Sequence, residues 1–406
     1  INHQLLMKIA FLTSGGNAPC LSATIGRLLY NYNNLNDVQI IGYKNGFMGL
    51  LTGDSVEISL EGLNDDSFNL FYEYGGSPIG NSRVKLTNKE DCIKKKLIKK
   101  GQDPLEIAAT QLINDKIDIL HPIGGDDTNT TARDLSNFIK SRGLDITVVG
   151  IPKTIDNDIF PVKRSLGAYT AAEAGAIYFE NIVNENNMSQ FHLIIHEVMG
   201  RNSGWLAART ADSYYKRLEE KENKLNSSKA LSFYKSDRLH IHALYVPEKE
   251  VDFNIEIPRL EKIINEVGCL NIFVSEGAFL KEISNELRSK DNPIDTDAFG
   301  HIKLDSIDTG KWLSKVLSKK MRIDRTLIQK SGYFSRSSAP NQSDLDYIFK
   351  ICDFGFAQAT KGISGLAAED ERTGQLACID FNSIKGDKGL DVQSEWFMNL
   401  NNKISK

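Results

Sequence analysis

Short apolar runs alternate with amphipathic stretches over the first half of the chain. The runs KIAFLT, IDILHPI, DITVVGI and FHLIIHEV are each followed by a glycine-rich or polar loop, and several of these loops lead into a stretch with helical spacing, such as CLSATIGRLLYNY. Continuous apolar strands that alternate with helices are typical of a parallel sheet covered by helices. The pattern predicts an α/β fold, in which ligands bind at the carboxyl ends of the strands.

Two further apolar runs, LHIHALYVPE and LNIFVSEGAF, extend this pattern into the second half of the chain. Two polar stretches accompany them, near residues 214–238 and 281–303, and we interpret both as surface insertions, the first of them helical. The chain has 406 residues, which at roughly 100–200 residues per domain corresponds to two or three domains.

The amino-acid composition limits the kinds of binding partner that we expect for this protein. The formal net charge is −4, whereas proteins that bind nucleic-acid backbones are usually basic, so we expect no nucleic-acid partner. No apolar run approaches the ~18 residues of a membrane helix, and the stretch INHQLLMKIAFLT lacks the basic region and cleavage site of a signal peptide. The five cysteines form no CxxC pair, which argues against a zinc site or a disulfide framework. We therefore expect a cytoplasmic protein that does not bind membranes.

The loop TSGGNAP follows the first predicted strand and opens a predicted helix. Gly15 and Gly16 would let backbone N–H groups approach a ligand closely, and the start of a helix favours an anion. The loop is not a Walker loop, because no Gly-Lys-Ser/Thr follows, and it is not the dinucleotide-binding G-x-G-x-x-G loop. A plain tight turn is the alternative.

The loop PKTIDND places four chemically active residues directly after a buried run: Lys153, Thr154, Asp156 and Asp158. If the backbone continues in an extended form, the two acids at spacing two point to the same side. Two carboxylates on one side suit a shared task, in which one takes a proton and the other helps to position it or a metal. The alternative is a surface loop of capping residues.

Further loops at predicted strand ends carry charged residues. They are Asp126 and Asp127 in GGDDT, Arg201 in EVMGR, Glu276 in SEGA, and Lys330, Tyr333 and Arg336 in KSGYFSRSSAPN. Arg and Lys are natural partners of phosphate, while carboxylates suit Mg²⁺ or sugar hydroxyls. Each loop alone is also explained by ordinary turns and capping. The whole set fits phosphoryl transfer, which needs cations, a metal bridge and a base for the accepting hydroxyl.

These motifs resemble those of the phosphofructokinase family. TSGGNAP, GGDDT, PKTIDND, EVMGR, SEGA and GYFSR appear in the order and spacing of that family over nearly the whole chain, and the stretch PKTIDNDIFPVKRSLGAYTAAE resembles its pyrophosphate-dependent branch. The resemblance implies a phosphofructokinase-like α/β fold, with two Rossmann-like domains, mostly parallel sheets and an active site in the cleft between them. The pyrophosphate and Mg²⁺ domain would comprise residues 7–165 and about 335–382, and the fructose 6-phosphate domain about 166–334 and 383–406.

The resemblance implies reversible, Mg²⁺-dependent phosphoryl transfer from pyrophosphate to the C1 hydroxyl of fructose 6-phosphate, a step of glycolysis. Asp156 would be the base that takes the hydroxyl proton, Asp158 would assist near the metal, and Asp126 would hold Mg²⁺. Pyrophosphate would contact Gly15, Gly16, Arg83 and Lys153. Fructose 6-phosphate would be surrounded by Thr154, Asp156, Met199, Gly200, Arg201, Glu276, Tyr333 and Arg336. A homodimer or homotetramer is expected from the same likeness.

Two positions separate the branches of the family, because ATP-using members have a glycine in place of Asp127 and a small residue in place of Lys153. A carboxylate at Asp127 would occupy the place of an ATP α-phosphate and would repel it. Like charges about 4 Å apart at an effective dielectric constant of ~20 cost about 4 kcal/mol, or roughly a thousandfold in affinity. Lys153 would place a cation on the transferring or leaving phosphate. A capping role for Asp127 at a helix start is compatible with this exclusion.

At two positions the chain differs from family members in residues that would bind the 6-phosphate of the sugar. His192 and Leu327 stand near positions where ATP-dependent members often place arginines, and Lys330 is our candidate for the missing cation. Three alternatives to the main interpretation stay open. They are an ATP-dependent phosphofructokinase, a pyrophosphate-dependent kinase that also acts on sedoheptulose 7-phosphate, and a non-catalytic regulatory subunit. The presence of Asp126, Asp156, Asp158 and Arg201 argues against the last of these.

Overall fold

Two separate sheets of mainly parallel strands organise the chain in the computed structural model. The structure describes residues 6–227, 236–289, 307–386 and 388–405. The chain divides into two units, which we call unit 1 (Ile1–Thr170 and Arg336–Lys388) and unit 2 (Ala171–Ser335 and Gly389–Lys406). Each unit is therefore assembled from two stretches of the sequence.

A seven-stranded sheet forms the centre of unit 1. Its strands, numbered along the chain, are β1 (Met7–Thr13), β2 (Val38–Tyr43), β3 (Ser55–Ile58), β4 (Ile119–Gly124), β5 (Thr147–Pro152), β10 (Gly365–Asp370) and β11 (Gln375–Ile379). Their order across the sheet is β11-β10-β5-β4-β1-β2-β3. The edge strands β3 and β11 pair antiparallel with their neighbours, and the other pairs are parallel. The carboxyl ends of β1, β4 and β5 therefore meet at one edge of this sheet.

The helices of unit 1 follow the strands in the predicted manner. They are α1 (Leu21–Tyr32), α2 (Phe47–Thr52), α3 (Asp65–Tyr72), α4 (Lys89–Lys94), α5 (Pro104–Asn114), α6 (Asp126–Ser141) and α13 (Gln342–Ala359), with a 3₁₀ turn at Phe381–Ser383. Helices α7 (Ala168–Ile182) and α12 (Gly332–Ser337) each contain a point at which the chain passes from one unit to the other.

A four-stranded parallel sheet forms the centre of unit 2. Its strands are β6 (His192–Val198), β7 (Ala243–Tyr245), β8 (Cys269–Ser275) and β9 (Arg325–Lys330). Their order is β7-β8-β6-β9. The helices are α8 (Trp205–Asn226), α9 (Phe253–Val267), α10 (Leu280–Ser289), α11 (Thr309–Ser318) and α14 (Glu395–Ile404), with 3₁₀ segments at Val183–Met188 and Asp237–Leu239.

The apolar runs of the sequence explain why these strands lie at the centre of each unit. Every residue of β4, β6 and β8 is buried. Burying such runs removes roughly 25 cal/mol of unfavourable hydration per Å² of apolar surface, so they are placed between layers of helices. The predicted α/β class with mostly parallel sheets is confirmed. Within the described ranges, no helix is both long and apolar enough to cross a membrane.

The predicted insertion at 214–238 is wrong in its first part. Helix α8 continues to Asn226, and its residues Tyr214, Tyr215 and Leu218 are buried, so this stretch belongs to the packed part of unit 2. Residues 228–235 lie outside the described ranges. The predicted insertion at 281–303 begins within α10, and residues 290–306 also lie outside the described ranges.

Candidate active site

The glycine pair after β1 packs against other loops of unit 1. Gly15 has a φ of +89°, a conformation that favours glycine, and its N–H donates to the carbonyl of Ser82 at 2.9 Å. The N–H of Gly15 itself is therefore already bonded within unit 1. Helix α1 begins only at Leu21, so the pair does not itself form the start of the helix.

Lys153 lies against this glycine loop. Its Nζ donates to the carbonyl of Gly16 at 2.6 Å, and a Cβ added at Gly15 would lie only 3.3 Å from that Nζ. The lysine is 3% exposed, and its burial lowers its pKa to about 8; Arg83 also lowers it, whereas Cys20, Asp158 and Asp156 oppose the shift. The absence of a side chain at Gly15 thus leaves room for a buried cation at the end of β5.

The turn between β4 and α6 is built by close packing. Gly124 has no room for a side chain, because an added Cβ would lie 2.2 Å from Oγ1 of Thr128. The side-chain amide of Asn129 donates to the carbonyls of Gly124 and Gly125, at 2.8 Å in each case. Gly125 is the N-cap of α6, so Asp126 and Asp127 are the first residues of the helix, where its dipole favours negative charge.

The two adjacent acids have different surroundings. Burial, together with Asp127 and Asp158, raises the pKa of Asp126 to about 6. Asp127 is more exposed, and its Oδ1 lies 2.5 Å from the Nζ of Lys85. The sequence reasoning missed Lys85, although its position two residues after Arg83 was a signal, because alternate residues of an extended segment point to the same side.

The loop after β5 does not continue as an extended strand. Asn157 lies between the two acids with a φ of +52°, so the extended backbone on which the spacing argument for Asp156 and Asp158 depends is absent. A local network orders the loop instead. Thr154 Oγ1 donates to Oδ1 of Asp158 and accepts from the N–H of Asp156, both at 3.1 Å. The side chain of Asn157 accepts from the N–H of Ser165 at 2.8 Å, which fixes the turn from inside.

In unit 2, a second network joins the ends of β6 and β8. Oε1 of Glu276 accepts from the N–H of Gly200 at 3.1 Å, and Oγ of Ser275 donates to the carbonyl of Gly200 at 2.6 Å. Gly200 has a φ of +135°, and Gly277 packs so closely that a side chain there would overlap the backbone of Arg201. Burial raises the pKa of Glu276, and the Gly200 N–H and Arg201 work in the opposite direction. Arg201 itself is exposed.

The end of β9 carries the last group of predicted residues. Tyr333 is exposed, and Gly332 packs against Met199. Lys330 pairs with Oε1 of Glu197 at 2.8 Å and lies 3.5 Å from Asp308, so its charge is matched within unit 2. Glu197 also accepts from the N–H of Gly310 at 2.8 Å.

The two departures noted in the sequence both lie on the strands of unit 2. His192 begins β6 and is fully buried, and Leu327 lies beside Ile194 of the same sheet on β9. Arg336 is the first residue of the returning stretch of unit 1.

The strand-end loops thus bring the predicted residues into two groups. In unit 1, the loops after β1, β4 and β5 carry Gly15, Gly16, Asp126, Asp127, Lys153, Thr154, Asp156 and Asp158, with Arg83 beside Gly16. In unit 2, the segments that follow β6, β8 and β9 carry Met199, Gly200, Arg201, Glu276 and, at the start of α12, Tyr333. This is an α/β protein whose strand-end loops carry the cations and carboxylates used in phosphoryl transfer.

Comparisons with known proteins identify the family. Residues 8–214 match the Phosphofructokinase family. The chain is 47% identical over 395 residues to the pyrophosphate--fructose 6-phosphate 1-phosphotransferase of Methylotuvimicrobium alcaliphilum, with 97% of this chain and 95% of that protein covered. It is 44% identical over 406 residues to the protein of the same name from Propionibacterium freudenreichii, with 99% and 98% covered. The chain belongs to the phosphofructokinase family.

A solved structure agrees with the fold. The pyrophosphate-dependent phosphofructokinase from Nitrosospira multiformis has a TM-score of 0.70 to this chain at 16% identity. The match covers 98% of this chain and 92% of that one. At this identity the similarity bears on the fold alone.

Proposed function

We propose that this protein transfers a phosphoryl group from pyrophosphate to the C1 hydroxyl of fructose 6-phosphate, reversibly and with Mg²⁺, to give fructose 1,6-bisphosphate and phosphate. Relatives with 47% and 44% identity over nearly their full length carry the name of that activity. The observation that carries the proposal in this chain is the pair of donor-specific residues. Lys153 is buried beside Gly16, and Asp127 stands at the start of α6.

The loops of unit 1 suit a short, highly charged donor. Lys153 places its charge beside the glycine loop, and Arg83 lies near the same glycines. A fixed cation in a water-poor site stabilises developing charge on a phosphate without further reorganisation. In this proposal Lys153, Arg83, Gly15 and Gly16 bind pyrophosphate, and Lys153 stabilises the charge that develops as the phosphoryl group moves.

The residues present fit a Mg²⁺ ion held partly by substrate. Within the described ranges, no group of three or more His, Cys, Asp or Glu side chains is arranged to hold a metal alone. Mg²⁺ usually takes one or two carboxylates together with phosphate oxygens and waters, which matches a site based on Asp126. Burial, and then the nearby charges of Asp127 and Asp158, raise the pKa of Asp126, so a bound cation would favour its charged form. When bound, Mg²⁺ would neutralise phosphate oxygens.

The loop after β5 supplies the base. Asp156 takes the proton from the C1 hydroxyl, and a positioned base is worth roughly 10²–10⁴-fold in rate. Thr154 orders this loop by bonding both to Asp158 and to the backbone of Asp156. Asp158 assists by holding Thr154 and by its charge near Asp126.

Unit 2 supplies groups for the sugar phosphate. Glu276 is held by the Gly200 N–H and can accept from sugar hydroxyls, and Arg201 can bind the phosphate. Met199 and Tyr333 complete this set in unit 2. Because Lys330 is already paired with Glu197, it serves the 6-phosphate only if that ion pair is shared or opened. The proposal includes self-association as a homodimer or homotetramer, which light scattering after size exclusion tests.

The test of this function is product identification by ³¹P NMR. Enzyme, Mg²⁺, pyrophosphate and fructose 6-phosphate are expected to yield inorganic phosphate and a new C1 phosphate ester in equal amounts, and the reverse mixture is expected to regenerate pyrophosphate. Sedoheptulose 7-phosphate in place of fructose 6-phosphate tests the wider acceptor range. Failure of both acceptors with pyrophosphate and also with ATP, with ligand binding retained, would instead indicate a non-catalytic subunit.

A further inference from the structure

The returning stretch of unit 1 pairs with the loop that carries the proposed base. The N–H of Phe160 donates to the carbonyl of Lys385 at 2.9 Å, and the N–H of Lys385 donates back to Phe160 at 3.0 Å. The N–H of Lys388 donates to the carbonyl of Asp158 at 3.1 Å. This stretch, far away in sequence, therefore lies against the PKTIDND loop.

The partly exposed ammonium group of Lys388 holds the same stretch in place. The Nζ of Lys388 donates to the carbonyl of Val162 at 2.6 Å and pairs with Glu371 at 2.6 Å. The N–H of Glu371 donates to the carbonyl of Pro161 at 2.8 Å. These bonds hold Lys385 and Lys388, which precede and follow Gly386, against the segment that carries the proposed base.

Gly386 lies against the carboxylate of Asp126. A Cβ added at Gly386 would lie 2.5 Å from Oδ2, 3.4 Å from Cγ and 3.5 Å from Cβ of Asp126. Real Cβ atoms essentially never approach another heavy atom to 2.5 Å, so a side chain at this position would displace the carboxylate. The φ of Gly386 lies outside the left-handed region, so backbone conformation does not demand a glycine there.

The geometry points to Gly386 as a positioning residue for the metal site: the missing side chain lets the Asp126 carboxylate occupy the place from which it would bind Mg²⁺. This inference rests on the proposed function, in which Asp126 holds the ion. It concerns a residue that the sequence motifs do not include.

We expect Gly386→Ala to weaken Mg²⁺ binding while it changes the stability of the fold only slightly. Oδ2 is the end of a short side chain, so it can rotate away at small cost to stability. The rotation moves the oxygen that would meet the ion. Loss of a group that orients a metal ligand typically costs 10–100-fold in metal affinity or activity, so we expect at least a roughly tenfold higher Mg²⁺ concentration for half-maximal activity. The KM for fructose 6-phosphate should not change.

Gly389→Ala is the matched control. It lies three residues further along, it too has a φ outside the left-handed region, and an added Cβ would meet only the side chain of Glu248, at 3.3 Å or more. We expect this variant to keep the Mg²⁺ dependence of the natural protein.

The experiment measures two quantities on the full chain. The first is the Mg²⁺ dependence of the rate with pyrophosphate. The second, independent of turnover, is the rise in Tm that Mg²⁺ with methylenediphosphonate produces. Gly386→Ala should reduce that rise, and Gly389→Ala should not.

Equal Mg²⁺ dependence and equal rises in Tm for Gly386→Ala and the natural protein would overturn the inference. Inactivity of the natural protein with pyrophosphate, alongside a rise in Tm that Gly386→Ala reduces, would sink the proposed function and leave the inference standing.

A double variant keeps the test valid if Gly386→Ala folds poorly. Asp126→Ala removes the oxygen that the new Cβ meets, so the loss of Tm caused by Gly386→Ala should disappear in the Asp126→Ala background. If the loss persists there, Gly386 is required for a reason unrelated to the carboxylate, and the inference is wrong.

Discussion

The Nζ of Lys85 lies 2.5 Å from Oδ1 of Asp127, so the acid that we expect to exclude ATP forms an ion pair within unit 1. Both side chains are partly exposed, and pairs of this kind contribute little to stability. The pairing matters more for the donor, because it offsets part of the negative charge that an α-phosphate would meet.

Asp127→Asn removes the charge and nearly keeps the shape. An unpaired charge would exclude ATP by roughly a thousandfold, and the pairing with Lys85 reduces this figure. We expect kcat/KM for ATP to rise by about tenfold to a hundredfold in Asp127→Asn. The rise should be larger when Lys153→Gly is added, which opens the space beside Gly15. Steady-state kinetics with both donors measure these changes.

Asp134→Asn is the control for charge alone, because Asp134 lies on the same helix and pairs with Arg133. Asp134→Asn should leave kcat/KM unchanged for both pyrophosphate and ATP. If Asp127→Asn with Lys153→Gly brings no gain with ATP, the nucleotide is excluded elsewhere.

Asp156→Asn tests the base. The amide cannot take the proton of the C1 hydroxyl, so we expect kcat to fall by roughly 10²–10⁴-fold. The affinity for fructose 6-phosphate, measured by equilibrium dialysis, should stay within a small factor. Asp54→Asn, which alters an exposed ion pair with Lys44, is the control. A near-normal kcat in Asp156→Asn would show that another group takes the proton.

The depressed pKa of Lys153 predicts how donor use depends on pH. Its pKa is about 8 because the ammonium is buried, so the charged fraction falls as pH rises through 8. We expect kcat/KM for pyrophosphate to decrease above pH 8. The decrease in kcat should begin at a higher pH, because bound pyrophosphate favours the charged form. Lys153→Arg keeps its charge over this range, so it should shift the decrease to higher pH. A profile that stays flat to pH 10 would contradict this role.

The lowered pKa of Lys153 affects the stability of the fold in the opposite direction to the activity. The folded pKa of about 8 lies below the ordinary value of 10.5, so burying a charged Lys153 opposes folding below pH 8. The contribution of this group to the free energy of unfolding should rise between pH 8 and 10.5 and then level off. Activity and stability therefore respond to this lysine in opposite directions.

The sequence predicted the elements but not the contacts between distant loops. The apolar runs form β1, β4, β5, β6 and β8, because such runs are buried as strands of a sheet regardless of the loops that follow them. The acceptor of the Gly15 N–H, Ser82, could not be predicted because it comes from a loop many residues away. Spacing could not reveal the left-handed turn at Asn157. Nothing in the local pattern links Gly386 to Asp126, since tertiary packing alone brings them together.

Removal of Asp344 from unit 1 is expected to cost much stability. It is fully buried, and its carboxylate accepts from Arg164 at 2.6 Å and from the N–H and Oγ1 of Thr170 at 2.7 and 2.6 Å. Removing one partner of a buried ion pair costs about 3–5 kcal/mol, because the other charge is left uncompensated. We expect Asp344→Ala to lower the free energy of unfolding by about that amount, measured by urea denaturation.

Glu266→Ala provides the comparison for Asp344→Ala. Glu266 lies 3.9 Å from Lys262 in an exposed pair, so its loss should change the free energy of unfolding by less than about 1 kcal/mol. Equal effects of the two substitutions would contradict the role assigned to the buried network.

The ratio of kcat/KM for pyrophosphate to kcat/KM for ATP, measured on the natural protein with fructose 6-phosphate and saturating Mg²⁺, tests the central claim most directly. Because we propose that Asp127 takes the place of an ATP α-phosphate and that Lys153 binds pyrophosphate beside the glycine loop, we predict a ratio of at least roughly 10² in favour of pyrophosphate. A ratio below one, with faster turnover on ATP, would contradict the proposed donor and the roles given to both residues.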